Sequence, residues 1–131
     1  TMIKFFNNLL TSFLLIIFLS VGSCDLTQEE KNPYEGKTAE ELFTLGSKEL
    51  NDKNYEKAIG VFESLYEIFP YTEFAKKAIL EKSRAYSLAK DYDNARISAQ
   101  RFIVLYPVGE SAGYAQYLIA SSYYDEISSS G

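Results

Sequence analysis

At 131 residues the chain holds at most one small domain, and 47% hydrophobic with 24% charged residues is ordinary for a folded one. A formal charge of −5 argues against sequence-independent binding of nucleic acid, which needs a basic face. One Cys excludes an internal disulfide, and the lack of any His removes the usual general base, metal ligand and triad member.

The chain opens on a targeting pattern. Lys4 is the only charge before Cys24, and Leu9 to Leu19 is apolar apart from Thr11 and Ser12. Eleven helical residues span about 16 Å, too short for a hydrocarbon core of about 30 Å. A basic start, a short apolar run and small residues afterwards make a secretory signal, over residues 1–23. Val21-Gly22-Ser23-Cys24 resembles a bacterial lipobox, which implies lipidation of Cys24 and attachment to a membrane through that lipid. The alternatives are a signal with an incidental Cys and an uncleaved membrane anchor. Asp25 resembles an inner-membrane retention signal of enteric bacteria, so the inner membrane stays open beside the outer. Residues 24–37 carry Gln28-Glu29-Glu30-Lys31-Asn32-Pro33 and Gly36 without apolar periodicity, and read as an irregular tether.

The remainder, residues 38–127, is predicted to be helical. Thr38-Ala39-Glu40-Glu41 is a capping box, and Leu42, Leu45, Gly46 and Leu50 continue that helix. Asn51-Asp52-Lys53-Asn54 is a turn cluster. Tyr55, Ile59, Phe62, Tyr66 and Phe69 make one apolar face of a second helix, which Pro70 stops. A third runs from about Thr72 to Ala89, with Ala75, Ala78, Ile79, Ala85 and Tyr86 inward. Asp91 caps a fourth, lined by Tyr92, Ala95, Ala99, Phe102 and Tyr106, and Pro107 and Gly109 break it. A fifth, Tyr-rich helix runs from about Ser111 to Ile127, and strand signals are weak.

A short pattern occurs twice in this region. Asn54-Tyr55-Glu56-Lys57-Ala58 returns as Asp91-Tyr92-Asp93-Asn94-Ala95, and Phe69-Pro70 returns as Tyr106-Pro107, each at an offset of 37 residues. Helix pairs at such a period resemble tetratricopeptide repeats. Leu42, Leu45, Gly46, Tyr55, Ala58, Phe62 and Pro70 fit the first repeat, and Ile79, Tyr86, Tyr92, Ala95 and Pro107 the second. Glu49, Lys82 and Ala99 depart from the pattern, and Phe102 is placed to compensate for Ala99. The period exceeds the usual length of about 34, and the turn around Tyr71 to Phe74 is expected to take the excess. The fold class is therefore all-α: a tetratricopeptide-repeat α-solenoid of two full repeats plus the first helix of a third, after the signal segment. An unrelated helical bundle with two similar hairpins is the alternative. The third repeat stops halfway, and the Tyr-rich last helix does not resemble a polar cap, so the chain reads as a fragment truncated at its C-terminus.

Lipobox, short tether and tandem repeats with Tyr-x-x-Ala and Phe/Tyr-Pro boundaries together resemble the BamD family. These are lipoprotein subunits of the bacterial outer-membrane β-barrel assembly machinery. Arg101-Phe102-Ile103-Val104-Leu105-Tyr106-Pro107 is similar to the family's Arg-Phe-Ile-x-Leu-x-Pro segment. The resemblance implies a non-catalytic scaffold at the periplasmic face of the outer membrane. It implies as partners a BamA-like barrel subunit, other assembly-machinery lipoproteins and unfolded outer-membrane proteins. A different periplasmic repeat adaptor, such as a Tol-Pal-associated envelope-division factor, is the alternative. An enzyme is disfavoured, for no Gly-rich phosphate loop or catalytic constellation occurs, and no cofactor, metal or nucleic acid is expected.

Carried onto this chain, the concave positions of such repeats are Phe43, Ser47 and Leu50, then Lys77, Leu80, Arg84 and Leu88, then Tyr117, Ser121 and Tyr124. A client segment ending in an aromatic residue and a free carboxylate needs an apolar slot and a cation. Arg84 offers a planar fork for the carboxylate and Lys77 a point charge. The plainer alternative is that the aromatics pack as core and the two cations are merely solvated.

Overall fold

The computed structural model describes residues 1–19 and 32–131, with side chains for 1–10 and 32–131. Cys24, Asp25 and most of the predicted tether lie outside the described residues. Two units separate, Thr1–Pro33 and Tyr34–Gly131.

In the first unit, helix α1 spans Met2–Leu19, beginning ahead of the apolar run at Leu9. Among the described residues no helix is long and apolar enough to cross a membrane.

The second unit consists of α2 (Ala39–Asn51), α3 (Tyr55–Ile68), α4 (Glu73–Leu88), α5 (Tyr92–Leu105) and α6 (Glu110–Ser129). Three of these five helices start on a side-chain cap. At α2 the Thr38 hydroxyl accepts from the Glu41 N–H at 3.2 Å, and the Thr38 N–H donates to the Glu41 carboxylate at 2.7 Å. That reciprocal box holds the Glu41 carboxyl below its usual range. Thr72 caps α4 by accepting from the Ala75 N–H at 3.1 Å, and Asp91 caps α5 by accepting from Asn94 at 3.3 Å. Ahead of α2, Gly36 takes a positive φ in a turn closed by Lys37 N–H to the Tyr34 carbonyl, and Tyr34 packs against the first core.

Sequential helices pack antiparallel through turns of three or four residues, α2 on α3, α3 on α4, α4 on α5 and α5 on α6. The first helices of successive pairs also touch, α2 with α4 and α4 with α6, whereas the backbones of α3 and α5 stay apart and meet through side chains, with the Arg101 guanidinium 4.7 Å from the Tyr66 ring. The array therefore curves toward α2, α4 and α6, which form its inner side. This is the all-α tetratricopeptide-type solenoid predicted from the period.

Two core clusters fill it. Leu42, Leu50, Ala58, Val61, Phe62, Leu65, Ala78 and Ala85 form the first, and Ile79, Leu80, Ala99, Phe102, Ala115 and Leu118 the second. The stripe predicted for α3 packs inward, with Phe62 buried and Tyr55, Ile59, Tyr66 and Phe69 half-buried against the cores, and it is widened by Val61 and Leu65, which are fully buried. The cause is that α3 lies between α2 and α4, which widens its buried arc.

The three departures from the repeat pattern each have a structural answer. Glu49 is buried and accepts from Asn54 Nδ2 at 2.8 Å and Lys57 Nζ at 2.7 Å. The bond from Lys57, then that from Asn54, holds its carboxyl below the usual range. Lys82 pairs with Glu63 across α4 and α3. Ala99 is buried beside Phe102, whose fully buried ring supplies the missing bulk. The extra length sits elsewhere than expected. It is not in the turn: α4 has 16 residues against 13 in α2, and Glu73 and Phe74 are already helical.

Helices α2 and α4 end alike. Asn54 N–H donates to the Glu49 carbonyl at 2.8 Å and Asp91 N–H to the Tyr86 carbonyl at 2.9 Å, with Lys53 and Lys90 at φ 63° and 64°. These are Schellman closures with lysine where glycine is usual. A non-glycine residue there costs about 1–2 kcal/mol, partly offset by the greater freedom glycine has when unfolded. Lys53→Gly and Lys90→Gly are each expected to stabilise by about 0.5–1 kcal/mol, read as a higher urea midpoint. An unchanged or lower midpoint would mean that the lysine side chains hold these turns.

Candidate functional site

On the inner side, α4 carries Lys77, Glu81, Arg84 and Leu88 at spacings of four, three and four. On α6, Tyr114, Tyr117, Ser121 and Tyr124 follow spacings of three, four and three. Both stripes have helical periodicity, so each occupies one face. The opposite faces are consumed by packing: Ala75, Ala78 and Ile79 of α4, and Ala112, Ala115 and Leu118 of α6, are buried.

The stripes converge on one cluster. Arg84 Nη1 donates to Glu81 Oε2 at 2.8 Å. Tyr114 and Tyr117 stack with ring centroids 6.1 Å apart and an interplanar angle of 21°. Burial pushes the Tyr114 hydroxyl up, the Glu81 carboxylate pushes it the same way, and Arg84 opposes them. Tyr114 thus lies within the field of the ion pair. The cluster presents a guanidinium with one edge occupied, a carboxylate and two stacked rings.

The other residues singled out from sequence divide into three groups. Lys77, Leu88, Tyr117 and Tyr124 are exposed. Ser47 and Ser121 are half-buried, and Ser121 Oγ donates to Asp125 Oδ2 at 3.4 Å. Phe43 is half-buried in an aromatic trio, 5.9 Å from Phe62 and 5.7 Å from Phe74. Leu50 and Leu80 require correction: at 4% and 7% exposed they belong to the two core clusters and line no surface. Both sit where their helix meets a neighbouring pair, so the face named for binding is occupied by packing.

Glu81 and Tyr114 were not singled out from sequence. The spacing of Glu81 to Arg84 was a visible signal for the first, since residues three apart on a helix are neighbours. Tyr114 falls one turn before Tyr117, and only its stacking marks it. Tyr123, by contrast, is engaged outside this cluster. The Arg96 guanidinium lies 4.3 Å from its ring centroid and donates to Glu126 Oε2 at 2.9 Å, tying α5 to α6.

A curved stack of helix pairs with a charged and aromatic inner face defines a tetratricopeptide-type solenoid. The family described as outer membrane lipoprotein, YfiO, matches residues 35–130, and the chain belongs to this family, that of BamD. It is 33% identical over 116 residues to the outer membrane protein assembly factor BamD of Caulobacter vibrioides, covering 86% of this chain and 37% of that protein. With BamD of Rickettsia prowazekii it shares 34% identity over 119 residues, 91% of this chain and 47% of that one. With BamD of Neisseria gonorrhoeae the identity is 32% over 81 residues, 62% and 30%. The chain thus spans less than half the length of these relatives.

Proposed function

We propose that this chain is the lipid-anchored, peptide-receiving part of an outer-membrane β-barrel assembly factor. Its anchor is Cys24, and its inner face receives the C-terminal segments of unfolded outer-membrane proteins. The observation that carries the reading is the convergence of Arg84, Glu81, Tyr114 and Tyr117 on the concave side. Stacked rings supply flat apolar area at little entropic cost, and the guanidinium supplies a fork for a terminal carboxylate. Glu81 keeps that fork oriented while leaving the Nη2 edge for an incoming group. The membership of the chain among outer membrane lipoproteins and the printed names of its relatives support the same reading. Its partners on this account are a BamA-like barrel subunit and companion lipoproteins of the machinery.

Photo-crosslinking tests the face directly. A crosslinker at Ser47 or Tyr117 should capture a newly translocated barrel protein, and one at Ile97, exposed on α5, should not. Equal capture from all three positions would reject the concave site. Co-purification with a BamA-like subunit, against Tol-Pal components, separates the assembly reading from that of an envelope-division adaptor.

The anchor has its own test. One acyl chain holds a protein only marginally, so stable attachment needs the multiple acylation of a lipoprotein. Cys24→Ser is expected to leave uncleaved precursor or to release protein to the periplasm. Fractionation and migration like wild type would remove lipidation from the account.

A further inference from the structure

The two ends of the solenoid differ in chemistry. Because successive helices are antiparallel and joined by short turns, Thr38, the α3–α4 turn and the α5–α6 turn share one end. The α2–α3 and α4–α5 turns share the other, and they are polar: Asp52, Lys53 and Asn54, then Lys90 and Asp91 after Ala89. At the first end apolar residues stand in water. Tyr71 is fully exposed and Val108 86% exposed, at equivalent positions one repeat apart. Ile68 and Leu105, also equivalent and also exposed, lie just behind them. Pro70 and Pro107 fix the backbone between each pair, and Lys76 Nζ sits 5.0 Å from the Tyr106 ring, joining the two turns. Large apolar side chains recur in both turns at one rim and call for an occupant, whereas both turns at the other are charged and the exposed apolar residues there, Leu88 and Ile127, are unrelated by the repeat.

The chain itself names the surface within reach. The body begins at Tyr34, just before Thr38 and so beside this end, and Tyr34 is ten residues beyond Cys24. Ten extended residues reach at most about 35 Å. If Cys24 carries lipid, the apolar rim is the end of the solenoid that this segment enters, and it is held at high local concentration over the bilayer. Tyrosine and small aliphatic side chains are suited to the headgroup boundary, where one end of a ring is apolar and the other wet. The electrostatics select the lipid. Glu40, Glu41, Glu73 and Glu110 occupy the first helical turns at this same end, against Lys37, Lys76 and Lys77. Such a rim has no net positive charge to draw it to anionic headgroups.

We propose that the Tyr71/Val108 rim is a membrane-contact surface that seats on zwitterionic lipid, setting the solenoid upright on the bilayer. This rests on the lipidation of Cys24 proposed above. Seated in this way, the polar end with Lys53 and Lys90 points away from the membrane. The concave face then stands roughly perpendicular to the bilayer, open to a chain arriving from the side.

The 131 residues contain no Trp, so a single Trp serves as a local reporter. Tyr71→Trp, Val108→Trp and, at the far end, Lys53→Trp are prepared as the lipidated chain and reconstituted on phosphatidylcholine vesicles with brominated acyl chains. Circular dichroism checks that each variant stays helical. Emission from Trp at 71 and 108 should fall by about half relative to unbrominated lipid, as for a ring seated about 5–10 Å into the interface, with Trp at 53 unchanged. Replacing part of the lipid with phosphatidylglycerol should leave the quenching equal or lower. Flotation of the same samples reads the anchor separately. Vesicles that carry the protein while positions 71 and 108 are quenched no more than 53 overturn the rim and leave lipidation standing. Protein that fails to float overturns both. Quenching that appears only with phosphatidylglycerol overturns the apolar contact in favour of a charge-driven one.

Discussion

Phe102→Ala is expected to lower the stability of the repeat body by about 3–5 kcal/mol. The ring is fully buried among Ile79, Leu80, Ala99, Ala115 and Leu118, and its centroid lies 5.1 Å from that of Tyr106. Three of its helices meet there, α4, α5 and α6, so truncation opens a void at a junction and not at a pliable edge. Two of the neighbours are already alanine and have no bulk to move into it. Transfer and cavity terms therefore add with little relaxation, which places the loss toward the upper end. Urea unfolding followed by circular dichroism reads it as a lower midpoint. A loss under about 1 kcal/mol would mean that Phe102 does not substitute for the aromatic that the repeat pattern expects at Ala99.

Gly46→Ala comes second, and its sign is decided by magnitudes. Alanine in a helix interior is favoured over glycine by about 0.5–1 kcal/mol. A Cβ at this position, however, would lie 2.5 Å from Phe62 Cε1 and 2.8 Å from Cδ1. The Phe62 ring has nowhere to go, being buried at 1% exposure with Phe43 against it. Overpacking of this kind costs about 1–3 kcal/mol, so a net loss of about 1–2 kcal/mol is expected. The companion variant Phe62→Leu makes the cause visible. It is destabilising alone, yet in the double variant the added methyl should cost much less, giving a favourable coupling. Purely additive losses would show that α2 and α3 do not approach through this glycine and ring.

Much of the fold was legible because its boundaries rest on local chemistry. The capping box at Thr38, the acceptor at Asp91 and the prolines at 70 and 107 act within a few residues of themselves, and the helices begin and end beside them. The 37-residue offset supplied the pairing. What depended on more than one helix was less legible. Periodicity assigns one apolar face, but α3 is enclosed from two sides, so Val61 and Leu65 had no marking beyond being hydrophobic. The three additional residues of repeat two entered α4 and not the turn, since Thr72 finds its cap partner at Ala75 and the helix starts there. At the inner face, motif positions alone could not separate Leu50 and Leu80, which pack, from Lys77 and Leu88, which do not. Glu81 could be placed next to Arg84 by spacing, but its choice of Arg84 over Lys77 is a matter of side-chain geometry.

The measurement closest to the central claim is a double-mutant cycle between Arg84 and the terminal carboxylate of a client peptide. A peptide from the C-terminus of an outer-membrane barrel is titrated against wild type and Arg84→Ala, each with a free and an amidated end. A charge-assisted hydrogen bond is worth about 1.5–3 kcal/mol, and the half-exposed side chain places Arg84 toward the lower part of that range. Either change alone should weaken binding by that amount, and both together by little more than one. Full additivity of the two losses would contradict the account, because Arg84 would then not be reading the carboxylate.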